Sequence, residues 1–288
     1  TSNPIDKIIL GEKENSTVES NSEITKDNVF NILEKYMNNH KCETDNDIPF
    51  CGGAIGFISY DYGNAIHDIE KKINKDFDYP LVVFGIYDWC VTYDYLKKEC
   101  FILYHTKNKL IEKIINYKSD EKNITKEQLI KSTSRCESNM NYDIYKSKIS
   151  KISEYIKSGD CYQVNFSQRF SLGFEGDRYS IYKTLNKSFA SPYSAYMNYP
   201  FGNILSFSPE RFLSIKNNKV ETKPIKGTRP RSDDIEIDRK NIDELKDSEK
   251  DKAENVMIVD LLRNDLGINC KKGSISVDKL FEVETFAN

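Results

Sequence analysis

The chain has 288 residues, of which 38% are hydrophobic and 30% are charged, with a formal net charge of −3. This balance excludes a strong electrostatic attraction to nucleic acid or to an anionic membrane. No apolar run approaches the roughly 18 residues that a membrane span needs, and the first residues lack the basic stretch and apolar core of a signal peptide. We therefore expect neither nucleic acid nor a membrane as a partner.

The cysteine pattern favours reduced thiols. The seven cysteines and three histidines are Cys42, Cys51, Cys90, Cys100, Cys136, Cys161, Cys270, His40, His67 and His105. No two cysteines form a CxxC pair, and the odd count and scattered spacing argue against both a zinc site and a disulfide framework. The simplest interpretation is a cytoplasmic protein.

The first part of the chain predicts strands followed by a connecting segment. Residues 48–63 combine glycines with aromatic and β-branched residues, which indicates strands or turns that pack closely on neighbouring backbone. Residues 81–104 predict two strands joined by a hairpin turn that carries two adjacent lysines. Residues 107–140 are polar and rich in lysine, so we expect a surface connection with one helical stretch near 107–117.

The chain changes character at residue 141, where an amphipathic helix is predicted. Its apolar residues run from Tyr142 to Ile156 at spacings of three and four, and Gly159 is expected to end it. The alternation over residues 162–166 predicts a half-buried strand, and residues 178–189 predict a second helix.

The last part predicts a hairpin and a long helix. Residues 204–222 predict the hairpin, because Asn217 and Asn218 tolerate positive φ at its turn. The helix is expected from about 248 to 264, with Gly267 as its stop signal. This mixture of helices and hairpins predicts the α+β class with antiparallel sheet.

Two segments carry side chains suited to acid–base and nucleophilic chemistry. Glu210 follows a proline at a strand entry, where a carboxylate could be a general acid or base, although a solvated surface glutamate is more frequent. Lys226 lies on a turn that also contains Lys223, Arg229 and Arg231. Neighbouring cations disfavour a further ammonium, so Lys226 could act as an uncharged nucleophile. The same turn could instead bind a carboxylate or be solvated.

A third segment carries an acidic column on the long helix. Asp247, Asp251 and Glu254 are spaced so that they would share one helix face, and Ser248 with Asp251 resembles a capping box. A carboxylate at the edge of the apolar stripe could hold Mg²⁺. A solvated acidic face that interacts with the helix dipole is the simpler alternative.

Taken together, four blocks resemble the chorismate-utilising enzyme family. They are GDCYQVNFSQRF (159–170), SPERF (208–212), KPIKGTRPR (223–231) and AENVMIVDLLRNDLG (253–267). The segments FCGGAIGFISYDYG and FGIYDWCVTYD extend the resemblance over nearly the whole chain. It implies antiparallel sheets packed in a sandwich with helices outside, an N-terminal region over 1–140 and a chorismate-binding catalytic region over 141–288.

Two positions indicate a branch of that family. Isochorismate and salicylate synthases carry a lysine, the base that activates water, where this chain has Gln163, so Gln163 is expected to contact substrate instead. Anthranilate synthases usually carry alanine where this chain has Lys226. Lys226 and MIVDLLRND resemble the branch that converts chorismate and ammonia into 4-amino-4-deoxychorismate for 4-aminobenzoate and folate biosynthesis.

The resemblance implies a role for each candidate residue. Lys226 would add to C2 of chorismate as the C4 hydroxyl leaves, with Glu210 as the acid–base partner. Ammonia would then attack C4 and expel the lysine. Glu254 would hold Mg²⁺, and Gly227 and Thr228 would line the substrate ring.

The resemblance also implies partners and a second ligand. Ammonia would come from a glutamine amidotransferase subunit, and Pro192, Tyr193 and Ser194 correspond to the family's tryptophan pocket. The family pattern extends past both ends of this sequence, which predicts weak activity for the 288 residues. The alternatives are an anthranilate synthase and a non-catalytic homologue that binds tryptophan or a partner.

Overall fold

The computed structural model describes residues 2–11, 18–19, 24–25, 28–39, 48–69, 77–117 and 130–286. It divides into two compact units, Thr1–Ile124 and Thr125–Asn288. Residues 130–140, which the sequence analysis assigned to the connecting segment, belong to the second unit. The remainder of that segment from 118, together with His40 and Cys42, lies outside the described residues. The other six cysteines are free thiols.

The first unit is built around a five-stranded antiparallel sheet. Its elements are β1 (Asp6–Leu10), β2 (Val18–Glu19), β3 (Ile24–Thr25), α1 (Val29–Asn39), β4 (Gly53–Ile58), α2 (Tyr62–Ile66), β5 (Val82–Tyr87), β6 (Trp89–Asp94), β7 (Glu99–Tyr104) and α3 (Lys109–Ile115). The sheet order is β3-β2-β1-β5-β4, and β6 pairs separately with β7. The core comprises Ile8, Leu10, Val29, Ile32, Leu81, Val82 and Ile86, so it lies between the sheet and α1.

Two sequence predictions about this unit are confirmed. A Cβ on Gly56 would overlap with the carbonyl oxygen of Val83 on the neighbouring strand, so the glycine allows the close backbone packing expected there. The helix expected near 107–117 is α3. It begins because the Asn108 side chain accepts hydrogen bonds from the amides of Leu110 and Ile111.

The prediction for residues 81–104 is correct for the turn and wrong for the number of strands. Lys98 adopts a positive φ of 56° in the turn between β6 and β7. The stretch before that turn is two strands, because the chain bends at Asp88, and the Asp88 carbonyl accepts the amide of His105. β5 therefore joins the five-stranded sheet while β6 joins the hairpin.

The described residues of the second unit form four helices and a set of two-stranded ribbons. Its elements are β8 (Lys131–Ser132), β9 (Glu137–Ser138), α4 (Tyr142–Ser158), β10 (Phe170–Ser171), β11 (Phe174–Glu175), α5 (Arg178–Phe189), β12 (Tyr193–Tyr199), β13 (Gly202–Ser208), β14 (Ser214–Lys216), β15 (Lys219–Glu221), α6 (Ile235–Asp247) and α7 (Glu249–Asn269). The ribbons pair β8 with β11, β9 with β10, β12 with β13 and β14 with β15.

Both predicted helices in the first part of this unit are present, but the predicted strand is not. α4 ends at Gly159 in the left-handed region, and α5 spans the predicted residues 178–189. Residues 162–166 form no strand and pair with no neighbour within the described part of the chain. Alternation signals one apolar face, but a strand also needs a partner for its backbone groups.

The predicted hairpin is shorter than its sequence suggested. Asn217 and Asn218 have φ of 52° and 60°, as expected for the turn, but only β14 and β15 flank them. Residues 204–208 belong instead to β13, which pairs with β12 through a tight turn of its own.

The long helix is confirmed with different ends. α7 begins where the Ser248 hydroxyl accepts the amide of Asp251 at 3.3 Å, and it continues through Gly267 to Asn269. Gly267 is therefore not a stop, and helix α6 before it was not predicted. Helices mixed with antiparallel strands confirm the α+β class. None of the described helices combines the length and hydropathy that crossing a bilayer requires.

Candidate functional site

The site is assembled from two segments that lie side by side, residues 208–212 after β13 and residues 221–226 after β15. Glu210 Oε1 accepts the amide of Ile225 at 3.0 Å, and the Phe212 carbonyl accepts the Thr222 hydroxyl at 2.6 Å. The amide of Glu210 also donates to the Ser208 hydroxyl at 3.3 Å. The Glu210 carboxylate is therefore bound to the backbone of Ile225, the residue before Lys226, by a contact between residues 15 positions apart.

Lys226 is half-buried and keeps its ammonium near the backbone. Its Nζ donates to the carbonyl of Ile225 at 3.0 Å. Within the residues that the structure describes, no carboxylate oxygen lies within 4.0 Å of this Nζ. Lys226 thus carries an amine without a salt-bridge partner among the described residues.

Gly227 is required by the backbone at this point. Its φ is +76°, which L side chains rarely adopt, and an added Cβ would lie 2.9 Å from both Asp251 Cγ and Leu245 Cδ1. The turn after Lys226 therefore packs on the junction between α6 and α7. Thr228 follows on the exposed side of the turn.

Arg229 fastens the turn to both of those helices. Its Nε donates to Glu244 Oε1 at 3.0 Å, its Nη2 donates to Asp251 Oδ2 at 3.2 Å and its Nη1 donates to the Thr228 carbonyl at 3.0 Å. The hydrogen bond to Glu244, followed by that to Asp251, raises the pKa of Arg229. The pKa of Asp251 lies below its ordinary value, first because of its hydrogen bond with Ser248 and then because of Arg229.

Arg231 makes a second attachment. Its guanidinium binds both oxygens of Asp238 at 2.8 and 3.1 Å and donates to the Phe286 carbonyl at 2.7 Å. This pairing lowers the pKa of Asp238. The Asn241 side chain also donates to the Pro230 carbonyl at 2.8 Å.

The prediction of a cationic cluster around Lys226 is therefore wrong in its electrostatics. Arg229 and Arg231 are paired with acidic residues, and Lys223 lies 3.7 Å from oxygens of Glu221 and Glu284. The cations next to Lys226 in this turn are therefore compensated by acidic partners. Within the described part of the chain, Lys226 is the member of the turn without an acidic partner.

The acidic column is divided by the helix junction. Asp247 ends α6, so it does not share a face of α7, and Asp251 is engaged by Ser248 and Arg229. Glu254 is half-buried and has no hydrogen bond or ion pair among the described residues. These residues include no group of three or more His, Cys, Asp or Glu side chains arranged to hold a metal. A single available carboxylate fits Mg²⁺, which keeps several waters.

The remaining predicted residues lie elsewhere in this unit. Gln163 is exposed in the irregular segment after α4, and no contact joins it to Lys226 or Glu210. Tyr193 begins β12 directly opposite Ser208, and the Ser194 hydroxyl donates to the Ser191 carbonyl at 2.8 Å. The segment that includes Pro192 thus adjoins the strand that leads to Glu210. The roles assigned to all these residues stay predictions.

Arg211 is a site residue that the sequence analysis missed. Its Nη2 lies 2.7 Å from Glu221 Oε2, but that oxygen is not in line with an N–H bond. Its Nε is buried without a hydrogen-bond partner among the described residues. Arg211 thus adds an ion pair to the contacts that join residues 208–212 to residues 221–226. Its place in SPERF, next to Glu210, was the available signal.

Comparison with known proteins assigns this arrangement to a family. The model of a family described as chorismate binding enzyme matches residues 2–288. The chain belongs to the chorismate-binding enzyme family. The resemblance drawn from the four sequence blocks is thereby confirmed.

Relatives in the chorismate-binding family carry two different names. Aminodeoxychorismate synthase component 1 of Salmonella typhimurium is 38% identical over 245 residues, which are 85% of this chain and 53% of the relative. The protein of the same name from Escherichia coli is 37% identical over 278 residues, covering 94% and 60%. Anthranilate synthase component 1 of Saccharolobus solfataricus is 35% identical over 267 residues, covering 91% and 59%.

A solved member of the same family supports the fold. The crystal structure of anthranilate synthase component I from Streptococcus pneumoniae matches 99% of this chain with a TM-score of 0.83 and 26% identity. The match covers 64% of that structure. The chain thus spans between half and two thirds of the length of these relatives.

Proposed function

We propose that this chain carries the chorismate-aminating chemistry of an aminodeoxychorismate synthase component 1. The reaction converts chorismate and ammonia into 4-amino-4-deoxychorismate and water. Relatives with that name are 35–38% identical to the chain over 83–94% of its length. The presence of Lys226 at the position that is usually alanine in anthranilate synthases favours the same branch.

The observation that carries the proposal is the hydrogen bond that ties the Glu210 carboxylate to the backbone amide of Ile225, the residue before Lys226. Backbone hydrogen bonding fixes one oxygen of Glu210, while the other accepts no hydrogen bond within the described residues. The Lys226 Nζ donates to the Ile225 carbonyl and has no carboxylate oxygen in salt-bridge range among the described residues. A carboxylate bound to the backbone next to a lysine, with no salt bridge between the two side chains, suits a two-step substitution.

In the first step, the Lys226 ammonium loses a proton to solvent, and the resulting amine forms a bond to C2 of chorismate. The ring double bonds shift and the C4–O bond breaks, and the hydroxyl departs as water with a proton from Glu210. The lysine nitrogen releases a proton when it forms this bond, and that proton returns to Glu210. The intermediate is a covalent adduct with the composition of chorismate plus lysine less one water.

In the second step, ammonia forms a bond to C4 and the bond between Lys226 Nζ and C2 breaks. The double bonds return to their original places and the proton lost by the incoming nitrogen goes to the departing lysine. The enzyme is regenerated and the pyruvyl group of chorismate is retained. Gly227 and Thr228 would line the ring during both steps.

Glu254 would hold Mg²⁺. When bound, the cation would neutralise a substrate carboxylate. Glu254 is available for that role because it is half-buried and unpaired among the described residues. Glu254 follows Asp251 by one helical turn. The turn at Gly227 packs on Asp251, so it contacts the same N-terminal part of α7 that carries Glu254. Ammonia would come from a glutamine amidotransferase subunit, which suits the name component 1 among the relatives.

The experiment is mass spectrometry of chorismate incubated with the protein, Mg²⁺ and an ammonium salt at mildly alkaline pH. The expected product contains an amine in place of the hydroxyl and retains the pyruvyl group. Lys226→Ala should lower its formation at least about 10³-fold, as expected for loss of a nucleophile. Lys223→Ala is the matched control, because that lysine lies in the same turn and is paired with glutamates.

Anthranilate synthesis is the second candidate, favoured by the relatives and the solved structure that carry this name. That reaction would add elimination of pyruvate to the amination. Anthranilate and pyruvate as products would therefore replace the proposed branch by this one. Amination that proceeds equally well in Lys226→Ala would reject the covalent route for either product.

A further inference from the structure

We propose that Arg229 is a positioning residue for Lys226, an inference that rests on the proposed function. Arg229 lies three residues after Lys226 and does not carry the reacting amine. Its contacts attach the turn that bears Lys226 to α6 and α7, the latter of which also carries Glu254. It would thereby fix the position of the amine relative to the carboxylate on α7.

Each nitrogen of Arg229 is already used. One contacts Glu244 of α6, one contacts Asp251 of α7 and one contacts the Thr228 carbonyl of its own turn. Its side chain is 25% exposed and the Asp251 side chain is 15% exposed, so the Asp251 contact is partly shielded from water. Arg229 is therefore held by the protein rather than presented to a ligand.

The contact to Asp251 lies where the turn packs tightly on α7. Gly227 has room only for hydrogen against Asp251 and Leu245. The backbone just after Lys226 therefore rests on Asp251, which Arg229 also binds, and on Leu245, the neighbour of Glu244. Asp251 is in turn fixed by Ser248 at the start of α7. A chain of direct contacts thus runs from Ser248 through Asp251 to the backbone next to Lys226.

An arginine suits this task better than a lysine. Its planar fork can bind two carboxylates and a carbonyl at once, whereas an ammonium is a single point charge on a flexible stem. Arg229→Lys is therefore expected to keep one carboxylate contact and lose the other. Arg229→Met removes the charge and the donors but keeps an extended apolar stem.

The experiment compares the 288-residue chain with Arg229→Met, Arg229→Lys and the control Arg263→Met. Arg263 pairs with Asp260 on the exposed surface of the same helix and contacts no predicted site residue. Two properties are measured: amide hydrogen exchange over residues 223–231, and the rate at which an amine-reactive reagent labels Lys226, by peptide mapping across a pH series. Neither readout requires turnover, so loss of the proposed function and loss of positioning are distinguishable.

Arg229→Met should speed exchange in the turn about tenfold, as expected for loss of charge-assisted hydrogen bonds. It should also change the rate and pH profile of Lys226 labelling, with Arg229→Lys intermediate and Arg263→Met unchanged. A purely structural role would lower thermal stability but leave the labelling of Lys226 in the folded protein unaltered. Exchange within about twofold of the parent, or unaltered labelling of Lys226, would overturn the proposal.

Discussion

Each of the two units of this chain is stabilised by a different kind of interaction. In the first, Ile8, Val82 and Ile86 are at most 1% exposed and lie in one core under a five-stranded sheet. In the second, no described hydrophobic residue reaches that burial, and Ser180 is its one described buried residue. Its α4 has no buried residue along 17 positions. The predicted catalytic residues all lie in this second unit.

This difference shows which interactions fix the residues of the candidate site. The segments around Glu210 and Lys226 are fixed by named hydrogen bonds and ion pairs, namely those of Ile225, Thr222, Arg229 and Arg231. Apolar burial is non-directional, whereas charge-assisted hydrogen bonds fix both distance and direction. We therefore expect the first unit to respond mainly to loss of apolar volume, and the site to respond to single polar contacts, pH and salt.

The largest effect on stability is expected in the core of the first unit. Ile86→Ala should lower the free energy of unfolding by about 2–5 kcal/mol, since it removes a buried side chain and leaves a cavity. Chemical denaturation followed by fluorescence of Trp89 measures this, because Trp89 is the single tryptophan and is 6% exposed in the same unit. A cost below about 1 kcal/mol would argue against the assigned core.

A smaller effect is expected from Gly227→Ala in the second unit. The change forces a side chain into a positive φ and against Asp251, which should cost about 1–3 kcal/mol of local stability. Hydrogen exchange of residues 223–231 reports this loss directly, while Trp89 fluorescence should report little change. A variant that exchanges like the parent would show that the turn is not packed as described.

The next effect concerns acid pH. The pKa values of Asp251 and Asp238 are lowered in the folded chain, so their contribution to stability is complete above the ordinary value of 3.8 and is lost as pH falls below it. Exchange in residues 223–231 should therefore accelerate below about pH 4 and be constant, after correction for intrinsic rates, at neutral pH. Asp251→Asn should show part of this acceleration already at neutral pH. An Asp251→Asn variant that exchanges like the parent at both pH values would contradict the assignment.

The smallest effect is expected on the surface of α4. Ile149 is 37% exposed, so Ile149→Ala should cost less than about 1 kcal/mol, against the larger cost at Ile86. Thermal unfolding of both alanine variants compares the units: the loss of stability should be larger for Ile86→Ala than for Ile149→Ala. Equal losses of stability in the two variants would show that the two units do not differ in this way.

Local features of the fold could be predicted from the sequence. The Asn217–Asn218 turn, the Gly159 helix end and the Ser248 cap each depend on neighbouring residues and were found as expected. The prediction of a strand over 162–166 was wrong, because alternation does not show whether a partner strand is present.

The candidate site could be predicted in part. Lys226 and Glu210 stood out through their motifs, whose order also indicated the family. Their two segments are joined by contacts such as that between Glu210 and Ile225, 15 positions apart, and the turn of Lys226 is attached to α7 by the pairing of Arg229 with Asp251, 22 positions apart. Spacing along the chain carries no signal for such contacts, which is why the basic turn was expected to be unpaired.

The proposed function depends above all on a covalent bond between Lys226 and chorismate. Intact-protein mass spectrometry with peptide mapping, after incubation with chorismate and Mg²⁺ in the absence of ammonia, detects this bond. We expect a mass increase equal to chorismate less one water, located on Lys226, discharged by ammonium salts and absent in Lys226→Ala. Product formation without any adduct, or an adduct that persists in Lys226→Ala, would contradict it.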